Sequence, residues 1–142
     1  MKTLGLVSCT KRKQNYRCQA SEMYSASDLF RKAYAYCQKR YDKVAILSAK
    51  YGLLFHNDEI EPYDLALKRM RVRQRREWAE SVFTQMNNRF DLRDFQQIFF
   101  HVGQEYRQYL IPKLEASGIQ CQAPLEHIRF GDQKAWYREH DC

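Results

Sequence analysis

Two short apolar runs, Leu4-Gly5-Leu6-Val7 and Val44-Ala45-Ile46-Leu47, each stop at a serine and meet a lysine within three more residues. Runs of this length bounded by polar residues read as buried strands. A third, Gln97-Ile98-Phe99-Phe100-His101-Val102, ends at Gly103. Helical stretches lie between them. Strands alternating with helices predict a three-layer α/β fold with a mainly parallel central sheet and helices on both faces. No internal repeat and no Pro/Gly/Ser linker interrupts the chain, so residues 1–142 read as one domain.

The elements follow from local patterning. The first strand covers about residues 3–8, and a polar loop runs through Gln19. A helix begins at Ser25 or Ser27 and reaches Arg40; Ser25 and Asp28 resemble a capping box. Leu29, Ala33, Cys37 and Tyr41, four residues apart, mark its buried face. After a strand at about 43–48, residues up to Tyr63 read as one long loop, and such loops are usually functional. A helix over Val72 to Arg89 buries Trp78, Val82, Met86 and Phe90. Another starts at Glu105, carries Tyr106, Leu110 and Leu114 on one face, and is kinked or split by Pro112. Gly118 ends it before a short strand at 119–122, and Gly131 to His140 reads as a loop with last helical turns around Trp136.

Charge narrows the partners. The net charge of +7 favours a polyanion, because lysine and arginine gain affinity by releasing phosphate counterions. Nucleic acid is the expected partner, DNA ahead of RNA. No run approaches eighteen apolar residues and the first residues lack a signal-peptide core, so no membrane partner and a cytoplasmic location are expected. Cys9, Cys18, Cys37, Cys121 and Cys142 are scattered and odd in number, which argues against a disulfide framework. His56, His101, His127 and His140 are equally dispersed. No metal and no cofactor is expected.

Ligands of open α/β sheets bind beyond the carboxyl ends of strands. Ser8, Cys9, Thr10, Lys11 and Lys13 occupy one such end, and Ser48, Lys50, Tyr51 and Gly52 the next. Hydroxyls, backbone N–H groups and cations together suit phosphate, so the two loops are expected to form one anion site. Cys9 is either a nucleophile activated by the nearby lysines or a small buried thiol. Tyr51 offers a stacking face and Gly52 close backbone approach. Asp58 and Asp64 are the candidate catalytic carboxylates; Pro62 stiffens the approach to Tyr63 and Asp64. Asp64 reads equally as a cap for the segment after it. Gly103 and Tyr106 would bring a helix N-terminus to the same pocket, with Glu105 as cap or pocket acid. Lys68, Arg69, Arg71, Arg73, Arg75 and Arg76 put six cations in nine residues, with only Glu77 and Glu80 near enough to pair; a track for a phosphate backbone is the favoured reading.

These strings carry a resemblance. Ser8-Cys9 with its lysines, Ser48-x-x-Tyr51-Gly52-Leu53-Leu54 and Asp58-x-Ile60-x-Pro62-Tyr63-Asp64 resemble an uncharacterised bacterial and phage family. That family is similar to the peroxide-stress YaaA proteins. It is also similar to a domain of archaeosine-type tRNA-guanine transglycosylase relatives. The likeness covers roughly residues 3–137. It implies a uracil-DNA-glycosylase-like architecture working on or beside nucleic acid. The activity this suggests is N-glycosidic release of a modified or damaged base, with Asp64 or Asp58 handling water. The alternative is a non-catalytic DNA-binding, stress-protection protein of YaaA type. Uracil-DNA glycosylases keep their catalytic acid just after the first strand, where this chain has Thr10 and lysines.

Overall fold

The apolar runs become neighbouring strands of one sheet. In a computed structural model describing residues 2–141, β1 (Lys2–Ser8) lies at its centre. β2 (Cys18–Gln19), α1 (Ala20–Met23) and α2 (Asp28–Arg40) lead to β3 (Lys43–Ser48). The chain then passes through β4 (Gly52–Leu54), β5 (Glu59–Ile60) and a 3₁₀ turn at Leu67–Arg69 before α3 (Val72–Arg89). β6 (Phe95–His101), α4 (Gln104–Arg107), α5 (Leu110–Ala116), β7 (Gln120–Gln122) and α6 (Gln133–Glu139) follow. Across the five-stranded sheet the order is β4-β3-β1-β6-β7. β1 pairs in parallel with β3 and β6, and β6 with β7; β4 runs antiparallel at the edge.

This order locates the crevice. From β1 the chain crosses by α2 to β3, then returns past β1 by α3 to β6. Right-handed crossovers in opposite directions put α2 and α3 on opposite faces. The packing agrees, with α2 against α6 and α3 against α5. The carboxyl ends of β1 and β6 therefore diverge at a topological switch point, where α/β sheets hold their ligands.

Burial explains the continuous apolar runs. Leu4, Leu6, Ala45, Ile46, Leu47 and Ile98 are wholly inaccessible to solvent, as strands covered on both faces require. Each fully buried Leu or Ile contributes about 1.5–3 kcal/mol. Gly5 serves a different need. A Cβ there would collide with the Tyr41 ring, which lies against the central strand and stacks on Phe99 at 4.5 Å.

Several expected boundaries shift for local reasons. Ser27 rather than Ser25 caps α2, its hydroxyl accepting the Phe30 N–H at 3.2 Å, while Ser25 donates to the Glu22 carbonyl. The buried face becomes Phe30, Ala33 and Cys37, with Leu29 half-buried and Tyr41 already outside the helix. The helix expected from Glu105 is split into α4 and α5. Pro112 falls in the first turn of α5, where an N–H has no helical partner to lose.

The long loop after Ser48 is partly a hairpin. Gly52 turns the chain with φ of 75°, and β4 pairs back on β3. Gln85 of α3 closes the outer edge, accepting the Leu53 N–H at 2.9 Å and donating to the Tyr51 carbonyl at 3.1 Å. Asp58 holds the far end of the same loop. It accepts the Phe55 N–H at 2.7 Å and two bonds from Arg89, at 2.7 and 3.3 Å. The Arg89 guanidinium holds the Asp58 carboxyl below the usual carboxylate range. Asp58 is a loop clamp.

Candidate functional site

A cleft of about 820 Å³ opens at the switch point. That is ample for a nucleotide-sized ligand. β1 supplies Val7 and Ser8 and the turn Cys9, Thr10; β6 supplies His101 and the turn Val102, Gly103. One wall is the Lys11–Lys13 loop with residues 64–69. Leu125, Glu126, Ile128, Phe130, Gln133, Lys134 and Tyr137 complete the lining.

The floor is a network of neutral polar groups. The Cys9 N–H donates to the Leu47 carbonyl at 2.8 Å, and its Sγ lies 2.9 Å from the Tyr106 hydroxyl. Tyr106 meets Trp78 edge-on at 5.5 Å, and the Trp78 indole N–H donates to the Ser48 carbonyl at 2.9 Å. Ser48 is fully buried; its Oγ accepts the N–H groups of Lys50 and Tyr51 at 3.2 and 3.0 Å. The same Oγ lies 2.7 Å from the Tyr63 hydroxyl, itself 2.6 Å from that of Tyr24. Burial pushes the phenols of Tyr24, Tyr63 and Tyr106 well above their ordinary value, so all three stay protonated at neutral pH.

His101 closes the floor between two tyrosines, Nε2 2.7 Å from Tyr41 Oη and Nδ1 2.9 Å from Tyr137 Oη. Burial lowers its pKa from 6.5 to about 4. The unfolded chain thus takes up a proton near 6.5 that the native state refuses until about 4. Stability is full above that window and should fall as pH drops through it. Equilibrium melts across the window check the slope, which His101→Gln should flatten.

Cations outnumber carboxylates around the cleft. Lys11, Arg12, Lys13, Lys68, Arg69, Arg107 and Lys134 all line it. Their acidic neighbours are Asp64, Glu105 and Glu126. Asp64 is 90% exposed and 3.8 Å from Arg69. Two large apolar side chains are also left open to solvent at this charged site, Phe130 at 75% and Leu65 at 40%.

Of the residues expected from sequence, Ser8, Cys9, Thr10, Lys11, Lys13, Asp64, Lys68, Arg69, Gly103 and Tyr106 line the cleft. The second strand end does not join them. Tyr63 seals it by bonding Ser48, so both residues support the floor from beneath. Lys50, Tyr51 and Gly52 turn away to a separate hollow of about 380 Å³ against α3, bounded by Gln74, Glu77 and Trp78. The Tyr51 hydroxyl is engaged with the Glu61 backbone, accepting its N–H at 3.1 Å. The single anion site expected from both loops is therefore two hollows. Asp58 lies outside the cleft in its clamp with Arg89. α4 has only four residues, too short for the helix-terminus field expected near Gly103.

The basic run also divides. Arg71 is the N-cap of α3, where its N–H donates to Gln74 at 3.0 Å. Arg73 pairs with Glu77 at 3.2 Å, and Arg76 lies 5.2 Å from the Tyr109 ring centroid. Arg75 donates to the Leu67 and Lys68 carbonyls at 2.9 and 2.8 Å, pinning the 3₁₀ turn that carries Lys68 and Arg69 to the cleft. Arg12 and Arg107 sat inside the strand-end strings at 8–13 and 103–107 without being singled out as site residues, and both line the cleft. Lys134, Leu65 and Phe130 were missed, and nothing local marked them.

Among the described residues no group of three or more His, Cys, Asp or Glu could hold a metal ion. No helix there is long and apolar enough to cross a membrane. Cys9, Cys18, Cys37 and Cys121 are free thiols, and Cys142 lies outside the described residues. Residues 4–139 match DUF6884, a family of unknown function, and the chain belongs to that family. No curated protein and no solved structure matches it.

Proposed function

We propose that this DUF6884 protein binds a nucleic-acid strand, DNA ahead of RNA, and receives one nucleotide in the switch-point cleft for N-glycosidic release of its base. The observation that carries this reading is the meeting, in one cleft of nucleotide size, of a cationic rim and the exposed ring of Phe130. Lys11, Arg12, Lys68 and Arg69 would hold strand phosphates while Phe130 stacks on a base, the combination single-strand binders use. Chemistry on a base inside a duplex requires flipping it out, and a cationic rim around an apolar-walled cleft suits that. Asp64, which lines the cleft, would be the carboxylate that orients water or steadies an oxocarbenium-like sugar. A uracil-DNA-glycosylase-like architecture is part of the same proposal, supported by the central parallel sheet and its crevice. The likeness to YaaA proteins and transglycosylase relatives points the same way.

Salt dependence tests the binding half. Affinity for an oligonucleotide should fall steeply with salt, and Lys68→Gln with Arg69→Gln should flatten the log–log slope by roughly one to two units. Arg73→Gln, on the helix beyond the cleft, should leave the slope alone. Salt-independent affinity, or no binding at low salt, overturns the reading.

One observation favours the non-catalytic alternative of YaaA type. Asp64 is exposed and faces Arg69, without the shielding that would strengthen its field at a sugar.

A further inference from the structure

Lys13 differs from the other lysines of the cleft. Lys11 and Lys68 are solvent-exposed, and Lys134 stands 3.8 Å from Asp28. Lys13 is half-buried, with its Nζ 4.5 Å from the centroid of the Tyr63 ring. That ring is held by the Ser48 and Tyr24 hydroxyls, so the surface beneath the amine is rigid. Among the described residues Nζ forms no ion pair; its hydrogen bond is a long one of 3.4 Å to the Lys11 carbonyl. Burial lowers the amine's pKa, and the nearby Cys9 and Asp64 offset this only in part. A half-buried amine without an ion pair, seated in the cleft with its pKa lowered by burial, gives up its proton more readily than an exposed lysine and is the better placed to attack a carbonyl carbon.

We propose that Lys13 is an amine nucleophile that forms an imine with the aldehyde of an abasic deoxyribose held in the cleft. The inference rests on the base-release reading, because loss of a base leaves a sugar whose ring-opened form carries an aldehyde at C1′. The Nζ lone pair attacks C1′, and the carbonyl oxygen takes up the first of the two Nζ protons, relayed by water, to give a neutral carbinolamine. Nζ gives up a proton to Asp64, which returns it to the departing hydroxyl. Water leaves as the C=N bond forms. Amine and aldehyde become imine and water, with no oxidant or reductant consumed.

Borohydride trapping tests this. The intact protein is mixed with a single-stranded oligonucleotide bearing one abasic deoxyribose, and separately with one bearing a tetrahydrofuran analogue that has no aldehyde. The protein should bind both and become covalently joined only to the first, and peptide mapping should place the reduced adduct on Lys13. Lys13→Arg should lower the adduct yield at least about tenfold while binding the tetrahydrofuran oligonucleotide within about twofold of the parent. Lys43→Arg, exposed at the amino end of β3, serves as the control and should trap like the parent. Binding without an adduct, an adduct mapped to any other amine, or an undiminished yield in Lys13→Arg overturns the inference and leaves the nucleic-acid reading standing. Failure to bind either oligonucleotide overturns that reading and the inference with it.

Discussion

Asp64→Asn should lower base release from DNA at least about a hundredfold while leaving DNA affinity nearly unchanged. The substitution keeps the side chain's shape and removes its charge. Asp64 lines the cleft with Lys13, Lys68 and Arg69, and under the proposed base-release reading it is the carboxylate that would steady positive charge on a sugar. Its partner Arg69 is 3.8 Å away and both are largely exposed. Exposed pairs of that kind contribute only about 0–1 kcal/mol, so the fold should tolerate the change. Loss of turnover would then report chemistry rather than unfolding. The comparison to make is free-base release by parent and variant at equal fractions of bound DNA. Unchanged release would move the catalytic role to another group. Absence of release by the parent on any modified or damaged DNA would favour the protein as a binder of YaaA type.

Trp78→Ala should cost about 3–5 kcal/mol of folding stability, a large share of the 5–15 kcal/mol typical of a domain. The side chain is 8% exposed and ties α3 to the end of β3 through its indole N–H on the Ser48 carbonyl at 2.9 Å. It also meets Tyr106 edge-on, and Tyr106 in turn holds the Cys9 thiol at the cleft floor. Truncation leaves a cavity, frees a buried carbonyl and removes the ring that fixes Tyr106. Trp78→Phe separates these effects, since it fills much of the volume but cannot donate the hydrogen bond. Its cost should be smaller, about 1–3 kcal/mol for the orphaned carbonyl. Denaturant titrations of both variants read the values directly. A loss below about 1 kcal/mol in Trp78→Ala would show that α3 is anchored elsewhere.

Local chemistry made much of the fold legible. Strand runs at 4–7, 44–47 and 98–100 are readable because both faces of such strands are covered, leaving no polar alternation to obscure them. The α3 helix is readable from the spacing of Trp78, Val82 and Met86, all buried as expected. Lys11 and Lys13 past β1 announced the cleft's cationic rim for the same reason, whereas Lys50 past β3 faces the separate hollow. A residue just past a buried strand must emerge at the sheet's edge.

Partnership across long stretches of chain was not legible. Asp58 and Asp64 look alike in sequence, yet Asp58 meets Arg89 from the far end of α3 and Asp64 faces the cleft. Arg75 belongs to a dense basic run, but its guanidinium is occupied by two backbone carbonyls. Ser48 and Ser8 end adjacent strands in the same way, and only the seating of Tyr63 decides that one is buried and the other lines the site. Strand and helix are set by repeats of two to four residues, which the sequence alone determined. The cleft was decided by the tertiary structure, because it depends on the direction in which the chain recrosses β1 and on which side chains then meet, as Cys9 and Tyr106 do across 97 residues of separation.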